Sequence, residues 1–317
     1  MATKDALRTI WLPGISGGGA TGRITVDRFL RSRNAHLHTQ PTDGHFKIYV
    51  PNQKNIPELF VSEAGRFSSA SFESLVVEAT RPEFPRSTGW LLIRAYYAAF
   101  FAFHSLMRLR GWACSRLTKE NCVRLEKDLK VVFGVDGGIE SGLYLLKAYG
   151  SSPEISCDII ANKKGGSHEA AWSLLPEFLR SMTTDALEGS VDQEAAQSLL
   201  QFVDVFNRKI KKRGGVIWLT RVRNLVNYSH EYGAWFPYDS STCDNDRIFA
   251  AIRRWRGDIS DVFSVDAVDE LVEFCEVCAF LVCLLHTTIK DLVFRSKANS
   301  QIRISTGRLL DASLRLA

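Results

Sequence analysis

Thr220-Arg221-Val222-Arg223-Asn224-Leu225-Val226-Asn227-Tyr228-Ser229-His230-Glu231 runs directly into the apolar stretch Tyr232-Gly233-Ala234-Trp235-Phe236-Pro237. Read as a helix over roughly 216 to 235, it places Arg223 and His230 on one side, because seven residues make almost two whole turns. Asn227 falls between them, one turn from each, while Val222, Leu225 and Val226 are left to bury the other faces. A fixed cation and a titratable imidazole therefore share one polar stripe on an otherwise anchored helix.

Upstream, Asp192 to Lys212 reads as an amphipathic helix with Ala195, Leu199, Leu200, Val203 and Phe206 on one face, ended by Gly214-Gly215. Its basic end, Arg208, Lys209, Lys211, Lys212 and Arg213, continues into Arg221 and Arg223 with no acidic residue between. Cations at a helix C-terminus suit the helix dipole, and the same run offers footing for a phosphate-rich partner. Further upstream, Arg94-Ala95-Tyr96-Tyr97-Ala98-Ala99-Phe100-Phe101-Ala102-Phe103-His104-Ser105-Leu106 is an aromatic-rich core helix that Ser87 or Thr88 can cap and Gly111 can end. Its Tyr and Phe stripe reads as packing, and His104 as a hydrogen-bonded core histidine.

The motif Arg223, Asn224 … His230, following an aromatic core helix in that order, resembles the HEPN superfamily, which includes many RNA-cutting toxins and antiviral effectors. The resemblance implies a helical core, and with it the chain reads as a mostly α fold: a HEPN-like helical bundle with a small N-terminal extended or β appendage and an internal insertion. It also implies a metal-independent endoribonuclease with Arg223, Asn224 and His230 as catalytic residues. Members of the family commonly pair two such motifs across a dimer. A homodimer is therefore expected here, with the 216 to 235 helices near its two-fold axis and activity restrained by an inhibitory or activating protein partner.

The chemistry of these residue types agrees. RNA carries its own nucleophile, the 2′-hydroxyl, so cleavage needs a base, an acid and a group to stabilise charge on the phosphate. An imidazole such as that of His230 exchanges protons near neutral pH, and the planar guanidinium of Arg223 can hold two phosphate oxygens. Asn224 or Asn227 can orient either partner, and Lys209, Lys211, Lys212, Arg213, Arg221 and Asn227 are the candidate RNA contacts. No carboxylate cluster suggests a two-metal nuclease, so no metal and no cofactor are expected. A separation of roughly 10.5 Å along the axis is wide for two groups acting on one phosphate, a further reason to expect a composite dimeric site. The rival readings are a non-catalytic scaffold of the same shape, binding a partner protein or nucleic acid in a defence complex, and a sensor of a small ligand at the same stripe.

The 317 residues are 45% hydrophobic with a net charge of +5, compatible with a nucleic-acid partner but far from polybasic. Seven cysteines in apolar surroundings read as reduced thiols, and with no signal segment or uninterrupted apolar span the expectation is a cytoplasmic chain without a membrane partner. Residues 1–65 are expected to form the appendage, with a strand at His45 to Val50 and a glycine loop at Gly17-Gly18-Gly19. The helical domain is expected over 66–295, interrupted by an insertion at about 134–166 that holds a short helix at Leu143 to Ala148. Residues 296–317 read as a tail. The last long helix, Asp266 to Phe294, carries Cys275, Cys278, Cys283 and His286 over roughly 16 Å, too far for one tetrahedral ion, so these residues read as core.

Overall fold

The computed structural model describes residues 3–17, 24–76, 88–161, 167–235, 243–264 and 269–315. Two long helices, α4 (Thr88–Leu109) and α11 (Glu270–Arg295), pack against each other at the centre. Both are apolar nearly all round and are therefore covered on every side. By length and composition α11 is apolar enough to cross a membrane, yet most of its surface is buried inside this core. α3 (Asn55–Val76) lies along α4, and α9 (Ile217–Tyr228) crosses it on another flank. A buried ion pair ties α3 to α4: Arg108 donates to Glu63 at 3.1 Å, to His104 Nδ1 at 2.9 Å and to the Cys114 carbonyl at 3.2 Å. His104 is thus a partnered core histidine, as its surroundings in the sequence suggest.

The remaining helices follow their end signals. Asp192 caps α8 (Gln193–Lys212) by accepting from Ala195 N at 3.0 Å. Thr118 and Asn121 form a capping box at the start of α5 (Lys119–Phe133), which Gly134 ends at φ +68°. Pro176 stands in the first turn of α7 (Leu175–Gly189), which follows the short α6 (Ser167–Trp172).

The fold is mostly helical, as expected, and carries one antiparallel sheet of five strands in the order β1-β2-β5-β4-β3. β1 is His36–Leu37, β2 His45–Tyr49, β3 Trp112–Leu117, β4 Gly142–Ala148 and β5 Glu154–Ala161. Here the structure departs from expectation. Leu143 to Ala148 is a central strand rather than a short helix: β4 pairs with β3 from Trp112↔Lys147 to Leu117↔Gly142 and with β5 on its other side. A short, largely apolar run fits either state, and pairing on both edges decides it.

β2 from the N-terminal segment pairs with β5 from His45↔Asp158 to Tyr49↔Glu154, so residues of the expected appendage and the expected insertion share one sheet. One continuous core runs from Ala6 to Leu310, and residue 65 falls inside α3 rather than at a boundary. The expected tail is also docked. Thr306, in a π-helical turn (Arg303–Gly307) before α12 (Arg308–Arg315), donates to the Gly65 carbonyl at 3.1 Å and lies 3.2 and 3.0 Å from the hydroxyls of Ser68 and Ser69. α1 is Thr3–Arg8, α2 Val26–Arg31 and α10 Asn245–Arg253. The glycine loop lies outside the described residues from Gly18 on.

Candidate phosphate-handling site on α9 and α4

α9 begins after Gly214 and Gly215, at φ +92° and +94°, and ends at Tyr228, earlier than its expected limit. The cause is the chain beyond it. His230, Tyr232 and Gly233 take left-handed backbone at φ +54°, +68° and +56°, turning the segment back over the helix end. Trp235 Nε1 then donates to the Val226 carbonyl at 2.7 Å, satisfying one of the terminal acceptors, and Gly89 N donates to the Ala234 carbonyl at 2.8 Å. A Cβ at Gly89 would stand 2.7 Å from the Trp235 ring, so only glycine admits this contact.

The expected Arg223/His230 stripe is therefore not a helix face. His230 is exposed two residues past the helix, its ring 5.6 Å from that of Trp235, while Arg223 is 9% exposed in the second turn. Asn224 and Asn227 are half-buried on the same helix.

What the fold brings to Arg223 is aromatic. Its guanidinium carbon lies 5.2 Å from the Tyr96 ring centroid, 5.9 Å from that of Tyr97 and 6.0 Å from that of Tyr228. Nε is buried without a hydrogen-bond partner, and Arg223 has no carboxylate partner among the described residues. Ring faces attract the cation without supplying a counter-ion.

The Tyr96 hydroxyl joins this cation to a histidine that sequence reading passed over as the opening of a helix. Trp172 Nε1 donates to it at 3.0 Å, His168 Nδ1 lies 2.9 Å away and Thr220 Oγ1 3.2 Å away. Trp172 occupies one acceptor position, so the phenolic proton goes to one of His168 and Thr220 while the other donates back. Burial pushes the Tyr96 phenol up, against the opposing pull of Thr220, Trp172 and the Arg223 charge. Burial first and then the Arg223 charge lower the His168 imidazole, which favours its neutral form. His168 is half-buried and stacks 4.3 Å from Phe100. Its signal in the sequence was only a polar Ser167-His168-Glu169 following two lysines and two glycines.

Beside Tyr97 opens a hollow of about 580 Å³ lined by Ser74, Trp90, Ile93, Arg94, Tyr97 and Phe101. Three aromatic rings and an arginine are the usual furniture of a site for unstacked bases. Trp90 is 57% exposed, its ring standing edge-on to that of Trp235 at 5.5 Å.

The basic run is largely spoken for. Lys209 pairs with Glu276 at 3.0 Å, Lys212 with Glu273 at 2.9 Å, Arg213 with Glu273 at 2.5 Å and Arg221 with Glu270 at 3.8 Å. The acids come from the first two turns of α11, a segment distant in sequence, so a local charge reading could not see them. Lys211 and Arg208 are exposed and form no ion pair among the described residues. Among the described residues no group of three His, Cys, Asp or Glu side chains is placed to hold a metal ion. Cys275, Cys278 and Cys283 are buried, their thiols pushed up by burial.

Comparison with family models, with curated proteins and with solved structures finds no match to this chain.

Proposed function

We propose that this chain is a metal-independent endoribonuclease of the HEPN type, acting in the cytoplasm as a homodimer. Its role would be that of a toxin or anti-phage effector held inactive until a protein partner releases it. The observation that carries the reading is Arg223: a buried cation with an unpartnered Nε and no carboxylate partner among the described residues, beside a Tyr96–His168 hydrogen bond. A cation without a counter-ion, beside groups that can exchange a proton, suits a phosphodiester in transit. In the reaction a base removes the 2′-hydroxyl proton, the 2′ oxygen bonds to phosphorus, and the 5′ oxygen leaves with a proton from the acid. The products are a 2′,3′-cyclic phosphate and a 5′-hydroxyl. Arg223 would stabilise the phosphate charge, and Trp90, Tyr97 and Phe101 would hold a flanking base.

His230 is the proton-transfer group that the resemblance implies, and His168 is the one nearest Arg223 in the fold. Single replacements of each by Ala, beside Arg223→Ala, separate the two. The reading requires RNA cleavage in EDTA with cyclic phosphate ends, lost by about 10²- to 10⁴-fold in Arg223→Ala and in one histidine variant, with DNA untouched. Full activity in all three variants would refute it.

The second reading, a scaffold that binds RNA or protein without cutting, is favoured by the ion pairs that engage Lys209, Lys212, Arg213 and Arg221. It predicts binding without cleavage under every activating condition.

A further inference from the structure

A second cationic site lies where α1, the 3₁₀ turns after α10 (Arg254–Arg256 and Ile259–Asp261) and the C-terminal half of α11 meet. A cavity of about 260 Å³ there is lined by Lys4, Arg256, Asp258, His286, Thr287 and Lys290, with Gly257 and Ile259. Arg256 lies with its guanidinium carbon 5.1 Å from the Trp255 ring centroid, and its Nε and Nη2 are both buried without a hydrogen-bond partner. Burial first and then the charge of Arg253 make its protonation harder. Two donors of one guanidinium left unpaired in a protein interior are costly unless a ligand takes them.

The neighbours share the same want of an anion. Lys4 and Lys290 form no ion pair among the described residues. His286 stands edge-on to Trp255 at 5.2 Å, and burial, then the charges of Lys290, Arg256 and Lys4, push its imidazole down to about 3. It is neutral and offers one N–H. The single acid in the lining, Asp258, is already used: its carboxylate accepts from Ser260 N and Ser260 Oγ, each at 3.2 Å. Three cations against one carboxylate leave a formal charge of +2 around the cavity, the complement of a phosphate dianion.

We propose that this cavity binds phosphate, either as the free inorganic dianion or as the phosphate group of a small phosphomonoester. Arg256 would present its two unpaired N–H groups side by side to two oxygens, as guanidinium does to phosphate. Lys4 and Lys290 would supply charge from either side, and His286 and the Thr287 hydroxyl would donate to the remaining oxygens. The site shares no residue with the Arg223 cluster and does not depend on the nuclease reading.

The test is calorimetric titration of the full chain at pH 7.5 and constant ionic strength with inorganic phosphate, glycerol 3-phosphate and adenosine monophosphate. Lys4→Gln with Lys290→Gln, both reached from solvent, gives a variant that should fold. Arg256→Gln tests the buried donors. The wild type should bind, the surface double variant should bind about ten-fold more weakly or worse, and phosphate should raise the melting temperature of the wild type alone. Tighter binding of inorganic phosphate than of either ester identifies the free dianion as the ligand, and tighter binding of one ester identifies its organic group as part of the recognition. No binding or stabilisation at about 10 mM phosphate, or equal binding by the variants, would each overturn the proposal.

Discussion

Glu273→Gln removes the acid that engages the basic end of α8, and its cost can be worked from the pairs it breaks. Glu273 is 2% exposed; it accepts from Lys212 Nζ at 2.9 Å and from Arg213 Nε at 2.6 Å, and Arg213 Nη2 is 2.5 Å away. Breaking a fully buried pair costs about 3–5 kcal/mol, because the surviving charge is left uncompensated. The Lys212 side chain is 57% exposed and hydrates readily, so its share is under about 1 kcal/mol. Arg213, 19% exposed, carries most of the loss, and Gln retains one acceptor for it. The expected destabilisation is about 2–3 kcal/mol, read by urea denaturation at pH 7 with an unchanged m-value. The same variant releases two cations. If they reach RNA, single-strand affinity rises and the slope of log K against log salt steepens by about 1.4, for two further phosphates neutralised. A stability change below about 0.5 kcal/mol would refute the assignment of Glu273 as the clamp. An unchanged salt slope would refute RNA contact through Lys212 and Arg213.

Two further outcomes follow from the described interior. Tyr96→Phe leaves the Trp172 indole N–H, on a fully buried residue, without its acceptor, and should cost about 1–3 kcal/mol in the same urea assay; a loss below about 0.5 kcal/mol would remove the hydrogen-bond network as the device that orients His168. Stability should also fall on acidification in two stages. His286 is held at about 3 in the fold against an ordinary 6.5, so unfolding takes up a proton and stability declines from pH 6.5 downward, with buried His104 adding in the same direction. Glu63, Glu273 and Asp291 are pulled below their ordinary values by Arg108 and Arg66, by Lys212 and Arg213, and by Arg8 and Arg295, despite burial. Their contribution is fully present above those ordinary values, 4.5 for the glutamates and 3.8 for the aspartate, and is lost as pH falls through the lower folded values. Denaturation curves at pH 7.5, 5.5 and 4 test both stages, and a stability flat from 7.5 to 5.5 would contradict the burial of neutral histidines.

The helices were legible because their signals are local. Asp192 and the Gly214-Gly215 pair each act within a turn of the end they define, and the structure places those ends there. The sheet was legible only in part. His45 to Tyr49 alternates as a half-buried strand should, with Phe46 and Ile48 buried. Its partner β5 lies more than a hundred residues away, and nothing near either segment names the other. Leu143 to Ala148 was misread for the same reason: a short apolar run becomes a strand through its neighbours, here β3 and β5. A mostly helical class survives such an error, but a division into appendage, bundle and insertion relies on pairings that sequence spacing does not carry.

The site shows the same limit in charge rather than in hydrogen bonding. Seven-residue spacing joins Arg223 to His230 only while the helix continues, and the left-handed residues after Tyr228 end it. What replaces that spacing is tertiary: Tyr96 from α4, Trp172 and His168 from α6 and Thr220 from α9 converge on one hydroxyl. The basic run was read correctly as a composition and incompletely as a field, since α11 returns Glu270, Glu273 and Glu276 to meet it. Arg223 and Arg256 gain significance by contrast. Each guanidinium lies against an aromatic ring rather than a carboxylate, and each keeps buried nitrogen donors that no described residue accepts from. Glutamates of α11 offset the charges of Lys209, Lys212, Arg213 and Arg221, whereas an arginine held by rings keeps its charge uncompensated. Both proposals therefore put phosphate where the fold withholds a counter-ion, and not at the densest cationic stretch of the sequence.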